Sequence, residues 1–247
     1  MSFVVVIPAR FASTRLPGKP LRDILGKPML QHVYERGCES SADEVIIATD
    51  DERIATAAES FGATVCMTGS QHQSGTERIA EVADVFDWDD LKVVVNLQGD
   101  EPAMPSGLID QCAQLLEDGD ADVATLASPL LHSDDLDNPN VVKVIRDVNE
   151  RAIYFSRAAI PFVREGANRT LAAETALHHH GIYAYRCGVL RQLVSAAPAD
   201  LEICERLEQL RALSLGMSIA VGVPPQRPSG GVDTEADLLR VARELEQ

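Results

Sequence analysis

This 247-residue sequence is poor in aromatic residues and in positive charge. Phe, Trp and Tyr make up 4% of it, which argues against a stacking platform for single-stranded nucleic acid. Lys and Arg number 22 against 38 Asp and Glu, which gives a net charge of −16. Because duplex nucleic acid and anionic membrane surfaces are themselves negative, they would repel this chain, and we expect neither as a partner.

Paired cysteines and long apolar runs are also missing. The five cysteines are widely spaced, odd in number and form no CxxC, which favours free thiols over a disulfide framework or a zinc site. No apolar run approaches the length of a membrane span, and Pro8 and Arg10 interrupt the first one, so no signal peptide is predicted. We therefore expect a cytoplasmic protein without membrane insertion.

Strand and helix patterns alternate along the first half of the chain. Up to about residue 120 this alternation predicts parallel βαβ units with helices on both faces of a sheet. The first strand is expected to end at Pro8, which lacks a backbone donor. Residues 164–176 are polar and contain Gly and Asn, so we predict a loop there. The predicted strands are 4–7, 44–48, 64–67, 92–97, 122–128, 141–145, 152–156, 181–185 and 218–223, and the predicted helices are 30–38, 53–61, 76–86, 106–116, 189–195, 201–213 and 234–246.

The loop after the first strand is cationic on an acidic chain. Among the first thirty residues, Asp23 is the single acid, against Arg10, Arg15, Lys19, Arg22 and Lys27. In open α/β sheets ligands bind where such loops leave the carboxyl ends of strands. Together with Ser13 and Thr14, this loop predicts an anion site that suits phosphate, although a solubilising surface loop would show the same charges. The loop matches neither the Walker A pattern nor GxGxxG.

Two acidic residues stand beside loops that could face this site. Asp100 follows the predicted strand 92–97, on the same sheet edge as the first loop, where it could hold Mg²⁺ or serve equally as a turn carboxylate. Asp233 precedes the last predicted helix, and its spacing favours capping of that helix by Asp233 or Thr234. The spacing does not show whether Asp100 and Asp233 converge.

Two polar motifs each leave two interpretations open. Ser74 precedes a predicted helix, where it could meet a polar ligand or simply cap the helix. His178, His179 and His180 are consecutive, and because strand residues alternate faces they cannot easily converge on one metal ion. A pocket histidine or a structural histidine is therefore expected there.

Charged residues in the second half are just as ambiguous. Glu202, Glu205 and Glu208 recur every three residues along the predicted helix 201–213, which favours a solvated face. Arg157 ends a predicted strand and could bind a carboxylate or lie at the surface.

Eight long stretches of the chain carry a resemblance to one known family. They are IPARFASTRLPGKPL at 7–21, HQSGTERIAEV at 72–82, VVNLQGDEP at 94–102, NPNVVKV at 138–144, YFSRAAIPF at 154–162, HHGIYAYR at 179–186, LEQLR at 207–211 and GVDTEADL at 231–238. In this order they resemble the 3-deoxy-manno-octulosonate (KDO) cytidylyltransferases, also called CMP-KDO synthetases, and the resemblance covers nearly the whole chain. It implies an α/β three-layer sandwich with a mostly parallel central sheet, of the nucleotide-diphospho-sugar transferase type.

The resemblance further implies a reaction in which the anomeric hydroxyl of KDO attacks the α-phosphorus of CTP, giving CMP-KDO and pyrophosphate for lipopolysaccharide biosynthesis. It implies a single domain and a homodimer, with a nucleotide-binding half at about 1–120 and a sugar-binding and dimerisation half at about 121–247. Mg²⁺ would be held by Asp100 and Asp233, and the catalytic residues would be Arg15, Lys19 and Asp100. The implied nucleotide-binding residues are Arg10, Ser13, Thr14, Arg15, Lys19, Ser74 and Arg78, and the implied sugar-binding residues are Gln98, Arg157, His179, Tyr183, Glu208 and Gln209.

One position departs from the family pattern, and one alternative stays open. Many relatives carry Arg or Lys where this chain has His178, so its sugar affinity or pH dependence could differ from theirs. The alternative function is a cytidylyltransferase for another sugar acid, either 8-amino-KDO or a nonulosonate.

Overall fold

The first strand shows why the central sheet is covered on both sides. The computed structural model describes residues 2–12, 16–164 and 168–246. Phe3, Val5 and Ile7 of that strand enter one hydrophobic cluster, whereas Val4 and Val6 enter another on the opposite face. Such a strand, apolar on both faces, is typical of a sheet between two layers of helices.

Nine strands within the described residues form one sheet. The strands, in chain order, are β1 (Phe3–Ala9), β2 (Asp23–Ile24), β3 (Lys27–Pro28), β4 (Glu44–Thr49), β5 (Thr64–Met67), β6 (Val93–Asn96), β7 (Val123–Pro129), β8 (Lys143–Arg146), β9 (Ala152–Ser156), β10 (Leu177–Arg186) and β11 (Ile219–Gly222), of which β2 and β3 form a separate hairpin. The main path runs β11-β7-β10-β6-β1-β4-β5, and β8 and β9 branch from β10. β10 is antiparallel to both of its neighbours on this path, whereas the other pairs are parallel. The predicted fold class is confirmed.

Helices cover both faces of the sheet. In chain order they are α1 (Met29–Cys38), α2 (Glu52–Ser60), α3 (Gly75–Val85), α4 (Ser106–Asp118), α5 (Arg169–Thr175), α6 (Cys187–Ser195), α7 (Asp200–Glu205), α8 (Gln209–Ser214) and α9 (Glu235–Leu245). Helices α1, α2 and α4 pack on one face, and α3, α6 and α8 pack on the other. Helix α9 packs through Leu238 and Val241 against Leu16, Ile24 and Met29, which brings the chain end beside the first loop.

Strand β1 does not end at Pro8, as the sequence had suggested, but continues to Ala9. Pro8 is paired in register with Ala48 of β4. The Phe3 carbonyl accepts a hydrogen bond from the β4 side, and the Val6 carbonyl accepts one from the β6 side. Because alternate residues of a strand face the same neighbour, the backbone nitrogen of Pro8, which has no hydrogen to donate, faces β6 as Val6 does. Because pairing with β6 has already stopped at Val6, the proline costs the sheet no hydrogen bond.

The single helix predicted over 201–213 is wrong, because the chain turns at Arg206 between α7 and α8. Arg206 is left-handed, with φ 54°. The Arg211 guanidinium lies 2.6 Å from the Glu202 carboxylate. In a straight helix residues nine apart are separated by about 13 Å along the axis, so this buried ion pair requires the chain to fold back.

Two further elements differ from the prediction. Strand β10 begins at Leu177 instead of residue 181, because β7 and β8 both pair with its first residues. The predicted loop 164–176 contains helix α5, whose Ala172 packs against Leu136, while residues 165–167 lie outside the described part. Most other element boundaries fall within one or two residues of those predicted.

Candidate active site

The candidate site lies where the strand order reverses. The chain passes from β1 to β4 and β5 on one side and then returns to β6 on the other side of β1. Strands β1 and β6 are parallel neighbours, so the loops that follow them leave the sheet at the same carboxyl edge, the usual ligand site of open α/β folds. Gly99 allows their close approach, since a Cβ at this position would lie 2.8 Å from the Pro8 carbonyl oxygen.

Lys19 connects the first loop to the two acids. It opens a short 3-10 helix, Lys19–Leu21, after Gly18, whose φ of 64° suits glycine. The Lys19 Nζ donates to Asp100 Oδ2 at 2.6 Å and to Asp233 Oδ1 at 3.1 Å. Asp100 and Asp233, which sequence spacing left unrelated, thus converge on one point. Thr234, not Asp233, caps α9, accepting from the backbone N–H of Asp237.

These groups face a cavity of about 690 Å³. Arg10, Lys19 and Arg78 line it as cations, and Asp100, Glu208 and Asp233 line it as acids. The volume is that of a nucleotide-sized pocket. The mixture of charges suits a ligand with both anionic groups and hydroxyls.

Helix α3 directs its amino terminus at this cavity. Ser74 is its N-cap and accepts from the backbone N–H of Glu77 at 3.2 Å. Ser74 and Gly75 also line the cavity, so capping of the helix does not prevent Ser74 from facing a ligand there. Arg78, one turn further on, is 4% exposed and lies 3.2 Å from Asp50, with Thr68 as a second partner.

A second, smaller cavity lies behind the first and shares Ser74 and Glu208 with it. Its volume of about 20 Å³ is close to that of one water molecule. Tyr183 and Gln209 also line it, and among the described residues the Tyr183 hydroxyl and Gln209 Nε2 are buried without a hydrogen-bond partner. Such buried polar atoms lower the stability of the protein unless a ligand or a water molecule forms hydrogen bonds with them.

Ser74, Tyr183, Glu208 and Gln209 form the inner wall of the site, along the smaller cavity. Desolvation is the main cause of the pKa shifts there. It raises the pKa of Glu208, against the lowering effect of the hydroxyls of Thr76 and Ser74, and Thr76 donates to the Glu208 carboxylate at 2.8 Å. Desolvation also raises the pKa of Tyr183 well above its ordinary value, so this phenol is neutral. The wall therefore offers a hydroxyl, an amide and a carboxyl group to a ligand.

The three histidines of β10 are held in place separately. His180 Nε2 lies 2.8 Å from the Ser128 hydroxyl, and His179 Nε2 lies 3.1 Å from the Thr125 hydroxyl. His178 Nδ1 accepts from Arg227 at 2.6 Å. Desolvation is the largest cause that lowers their pKa values, to about 4, 3 and 2 for His178, His179 and His180. All three are therefore neutral near pH 7.

Residues 2–12, 16–164 and 168–246 contain no group of three or more His, Cys, Asp or Glu side chains that could hold a metal ion. None of the helices in this part of the chain combines the length and the apolar character that crossing a membrane would require.

Comparison with known proteins places the chain in a family. Residues 4–219 match the family model described as cytidylyltransferase. A 3-deoxy-manno-octulosonate cytidylyltransferase of Yersinia enterocolitica serotype O:8 / biotype 1B is 51% identical over 243 residues, which cover 98% of this chain and 97% of that protein. The chain belongs to the 3-deoxy-manno-octulosonate cytidylyltransferase family. It is therefore a nucleotidyltransferase.

Solved structures agree with this family assignment. A CMP:2-keto-3-deoxy-manno-octonic acid synthetase, solved in complex with CTP, is 39% identical and has a TM-score of 0.92, with 100% of this chain and 99% of that chain covered. A cytidylyltransferase from Leptospira borgpetersenii serovar Hardjo-bovis is 16% identical, with a TM-score of 0.59 over 99% and 94% of the two chains, and shares the fold.

The structure brings most of the residues implied by the family resemblance to the two cavities. Ser13, Thr14 and Arg15 lie outside the described residues. Two of the implied sugar residues are not among those lining either cavity, His179 and Arg157. The remaining implied residues line one or both of them: Arg10, Lys19, Ser74, Arg78, Gln98, Asp100, Tyr183, Glu208, Gln209 and Asp233.

Arg157 is occupied by backbone carbonyl groups. Its guanidinium donates to the carbonyls of Glu205 at 2.8 Å, Pro139 at 3.1 Å and Arg206 at 3.4 Å. The side chain therefore connects the end of β9 to the turn between α7 and α8, which lies just before Glu208.

Sequence reasoning missed two groups at this site. His72 lines the larger cavity, and its Nε2 meets the carboxylate of Glu81. Its position two residues before the N-cap of α3 was the available signal. Glu101 lies behind the paired aspartates, where burial, followed by the Asp100 charge, raises its pKa to about 8. No sequence pattern indicates that desolvation.

Proposed function

We propose that this enzyme transfers CMP from CTP to the anomeric hydroxyl of 3-deoxy-D-manno-octulosonate, giving CMP-KDO and pyrophosphate for lipopolysaccharide biosynthesis. The relative that is 51% identical over nearly its whole length bears the name of this activity. The observation that carries the proposal is the convergence of Lys19, Asp100 and Asp233 on the nucleotide-sized cavity. Cations and paired carboxylates are what phosphoryl transfer requires.

The nucleotide is proposed to lie along the first loop and the start of α3. Arg10, Arg15 and Lys19 neutralise the charge of the triphosphate, and the hydroxyls of Ser13 and Thr14 donate hydrogen bonds to its oxygens. Ser74 and Arg78 place the nucleotide at the helix amino terminus, where backbone N–H groups favour an anion. Arg15, Lys19 and Asp100 are the proposed catalytic residues. Arg15 and Lys19 would stabilise the charge that grows on the leaving pyrophosphate, and Asp100 would hold the divalent cation.

Asp100 and Asp233 fit a divalent cation. Their carboxylate oxygens converge on the Lys19 ammonium, so they already share one cation-binding point. Mg²⁺ is bound by one or two carboxylates together with substrate phosphates, which agrees with two acids beside a phosphate-sized space. Bound there, Mg²⁺ would polarise the phosphate oxygens. Lys19 would then turn from the aspartates toward the triphosphate.

The sugar acid is proposed to lie in the larger cavity, against the wall that this cavity shares with the smaller one through Ser74 and Glu208. Tyr183, Glu208 and Gln209 offer hydrogen bonds to its hydroxyls, and Gln98 lies at the mouth, donating to the Gly181 carbonyl at 3.4 Å. His179 and Arg157 keep their proposed sugar-binding role from the family resemblance. The nucleotide half at about 1–120 and the sugar half at about 121–247 meet at this wall, since Ser74 and Glu208 line it from opposite halves.

A homodimer is proposed as the assembly. The second half exposes large apolar side chains, among them Phe162 at 88% and Ile153 at 60%. The family resemblance carries this proposal, and these exposed side chains are the ones that we expect a second copy to cover.

The first test is pyrophosphate release from CTP and Mg²⁺ with KDO present, absent, or replaced by 8-amino-KDO or a nonulosonate. We expect release that requires KDO. Pyrophosphate release with another sugar acid but not with KDO would identify that sugar acid as the acceptor. No pyrophosphate release with any acceptor would contradict the transferase proposal.

Lys19→Ala tests the residue at the centre of the site. We expect turnover to fall by about 10²–10³-fold, because a donor to the developing charge is lost. Lys27→Ala is the matched control, since Lys27 is in the same segment but pairs with Glu35. Near-normal turnover of the Lys19 variant would remove Lys19 from the catalytic role.

A further inference from the structure

The guanidinium of Arg240, in helix α9, donates hydrogen bonds to three consecutive backbone carbonyls. Its Nη1 donates to the Ser229 carbonyl at 2.8 Å, and its Nη2 donates to those of Gly230 at 3.2 Å and Gly231 at 3.1 Å. A guanidinium has five N–H donors in a rigid plane, so one side chain can fix the path of this whole segment.

The same segment is pressed against the loop that carries Asp100. A Cβ on Gly231 would lie 3.0 Å from a Glu101 carboxylate oxygen and 3.1 Å from the Asp100 carbonyl oxygen. The next residue, Val232, donates its backbone N–H to that Asp100 carbonyl at 2.8 Å and is fully buried. The 229–232 segment is therefore held from two sides, by Arg240 and by the Asp100 loop.

Asp233 directly follows the 229–232 segment, and its backbone and its side chain are both held by hydrogen bonds. Its backbone N–H donates to the Asp237 carboxylate at 3.2 Å, and Thr234 begins α9 with a capping box to the same Asp237. Its carboxylate meets Lys19 Nζ, 3.1 Å away. The distance between the Asp233 and Asp100 carboxylates thus depends on where the 229–232 segment lies relative to α9.

We infer that Arg240 is a positioning residue, which holds Asp233 beside Asp100 at the spacing that a divalent cation requires. The inference rests on the proposed function, in which these two acids bind Mg²⁺. Arg240 makes no contact with the substrates in this scheme and acts through the backbone. Groups outside the ligand sphere that orient metal ligands typically change metal affinity by about 10–100-fold when they are removed.

The test measures metal binding directly, by electron paramagnetic resonance of Mn²⁺ titrated into the full-length protein with CTP. We expect Arg240→Ala to bind Mn²⁺ about 10-fold more weakly than the wild type. Arg240→Lys should fall between the two, because an ammonium cannot reach three carbonyls at once. The Mg²⁺ concentration for half-maximal turnover should rise in parallel, while the KM for KDO stays unchanged.

Glu244→Gln is the matched control, because Glu244 contacts Arg240 at 3.3 Å from the same helix but touches none of the three carbonyls. It should bind Mn²⁺ as the wild type does. Thermal unfolding establishes that each variant is folded, and if Arg240→Ala is not, Arg240→Lys decides alone. Wild-type Mn²⁺ affinity in every folded Arg240 variant would overturn the inference.

Asp233→Asn separates this inference from the proposed function. If Asp233→Asn binds Mn²⁺ weakly while the Arg240 variants bind normally, the metal site stands and the positioning role is wrong. If Asp233→Asn also binds as the wild type does, the assignment of the metal to Asp233 fails, and the role of Arg240 is overturned with it.

Discussion

At the scale of single residues, the inner wall leaves polar atoms buried without protein partners. The Tyr183 hydroxyl and Gln209 Nε2 are such atoms within the described residues. Each has given up hydrogen bonds to water without replacing them, which costs about 1–3 kcal/mol per group. A protein tolerates that cost where a ligand or water completes the hydrogen bonds, so these atoms support the proposed sugar-binding role of this wall.

Tyr183→Phe should therefore separate stability from binding. We expect its free energy of unfolding in urea to be unchanged or higher by about 1 kcal/mol, because a buried unpaired hydroxyl is removed. The KM for KDO should rise by about 10-fold, which corresponds to one lost hydrogen bond of about 1.4 kcal/mol. Tyr34→Phe is the control, since Tyr34 packs on Phe61 on the opposite face of the sheet from Tyr183. A large loss of stability with unchanged KM would contradict this role.

Residue types were predictable at this scale, but their environments were not. The family motifs gave Tyr183, Glu208 and Gln209 as candidates from the sequence. The raised pKa of Glu208 comes from desolvation by elements distant in the chain. Local sequence therefore carries no information about it.

At the scale of elements, the turn between α7 and α8 shows how packing overrides periodicity. Glu202, Glu205 and Glu208 look like one solvated helical face. In the structure Glu202 pairs with Arg211, Glu205 accepts from the Ser156 hydroxyl at 2.6 Å, and Glu208 accepts from Thr76. Each acid has a different partner, so the turn directs Glu208 and Gln209 into the site.

Strand β10 makes the stability of the protein depend on pH. A histidine that is neutral when folded binds its proton below about pH 6.5 only when the chain unfolds. Stability is then unaffected above pH 6.5 and is lost as the pH falls toward the folded pKa. For His180, with a folded pKa of about 2, the loss at pH 5 is about 2 kcal/mol.

His180→Gln should flatten this acid dependence. We expect the drop in the free energy of unfolding between pH 7.5 and pH 5 to be about 2 kcal/mol smaller in the variant than in the wild type, measured by urea titration. His132→Gln, at an exposed position, is the control and should keep the wild-type drop. Equal drops in the wild type and His180→Gln would show that His180 is protonated in the folded state.

At the scale of the whole molecule, the site depends on one reversal of strand order and on the return of the chain end. Lys19 is 81 residues from Asp100 and 214 from Asp233. The sheet brings the first two together at the ends of β1 and β6. Helix α9 brings the third, because its apolar face packs on Leu16, Ile24 and Met29.

The proposed homodimer is testable at this scale. We expect Phe162→Asp to convert a dimer into a monomer at micromolar concentration, because a charge would be buried in the apolar interface. Light scattering after size-exclusion chromatography measures the mass. Leu91→Asp is the control, since Leu91 is 77% exposed but precedes β6 in the other half. A monomeric wild type would refute the homodimer, and a dimeric Phe162 variant would place the interface elsewhere.

The sequence by itself determined the α/β class, the buried first strand, the cationic loop behind it and most helix positions. These features depend on residues within a few positions of one another, through side-chain periodicity and turn chemistry. The family motifs added the candidate site residues. The tertiary structure decided that Pro8 stays within a strand, that residues 201–213 fold back, and that Asp233 stands beside Asp100. Each of these depends on contacts that the local pattern does not specify: the end of β6 pairing at Val6, the Glu202–Arg211 ion pair, and the hydrogen bond from Val232 to the Asp100 carbonyl. Where local conformations are nearly equal in free energy, packing against the rest of the molecule determines which one is adopted. A local sequence pattern therefore cannot predict it.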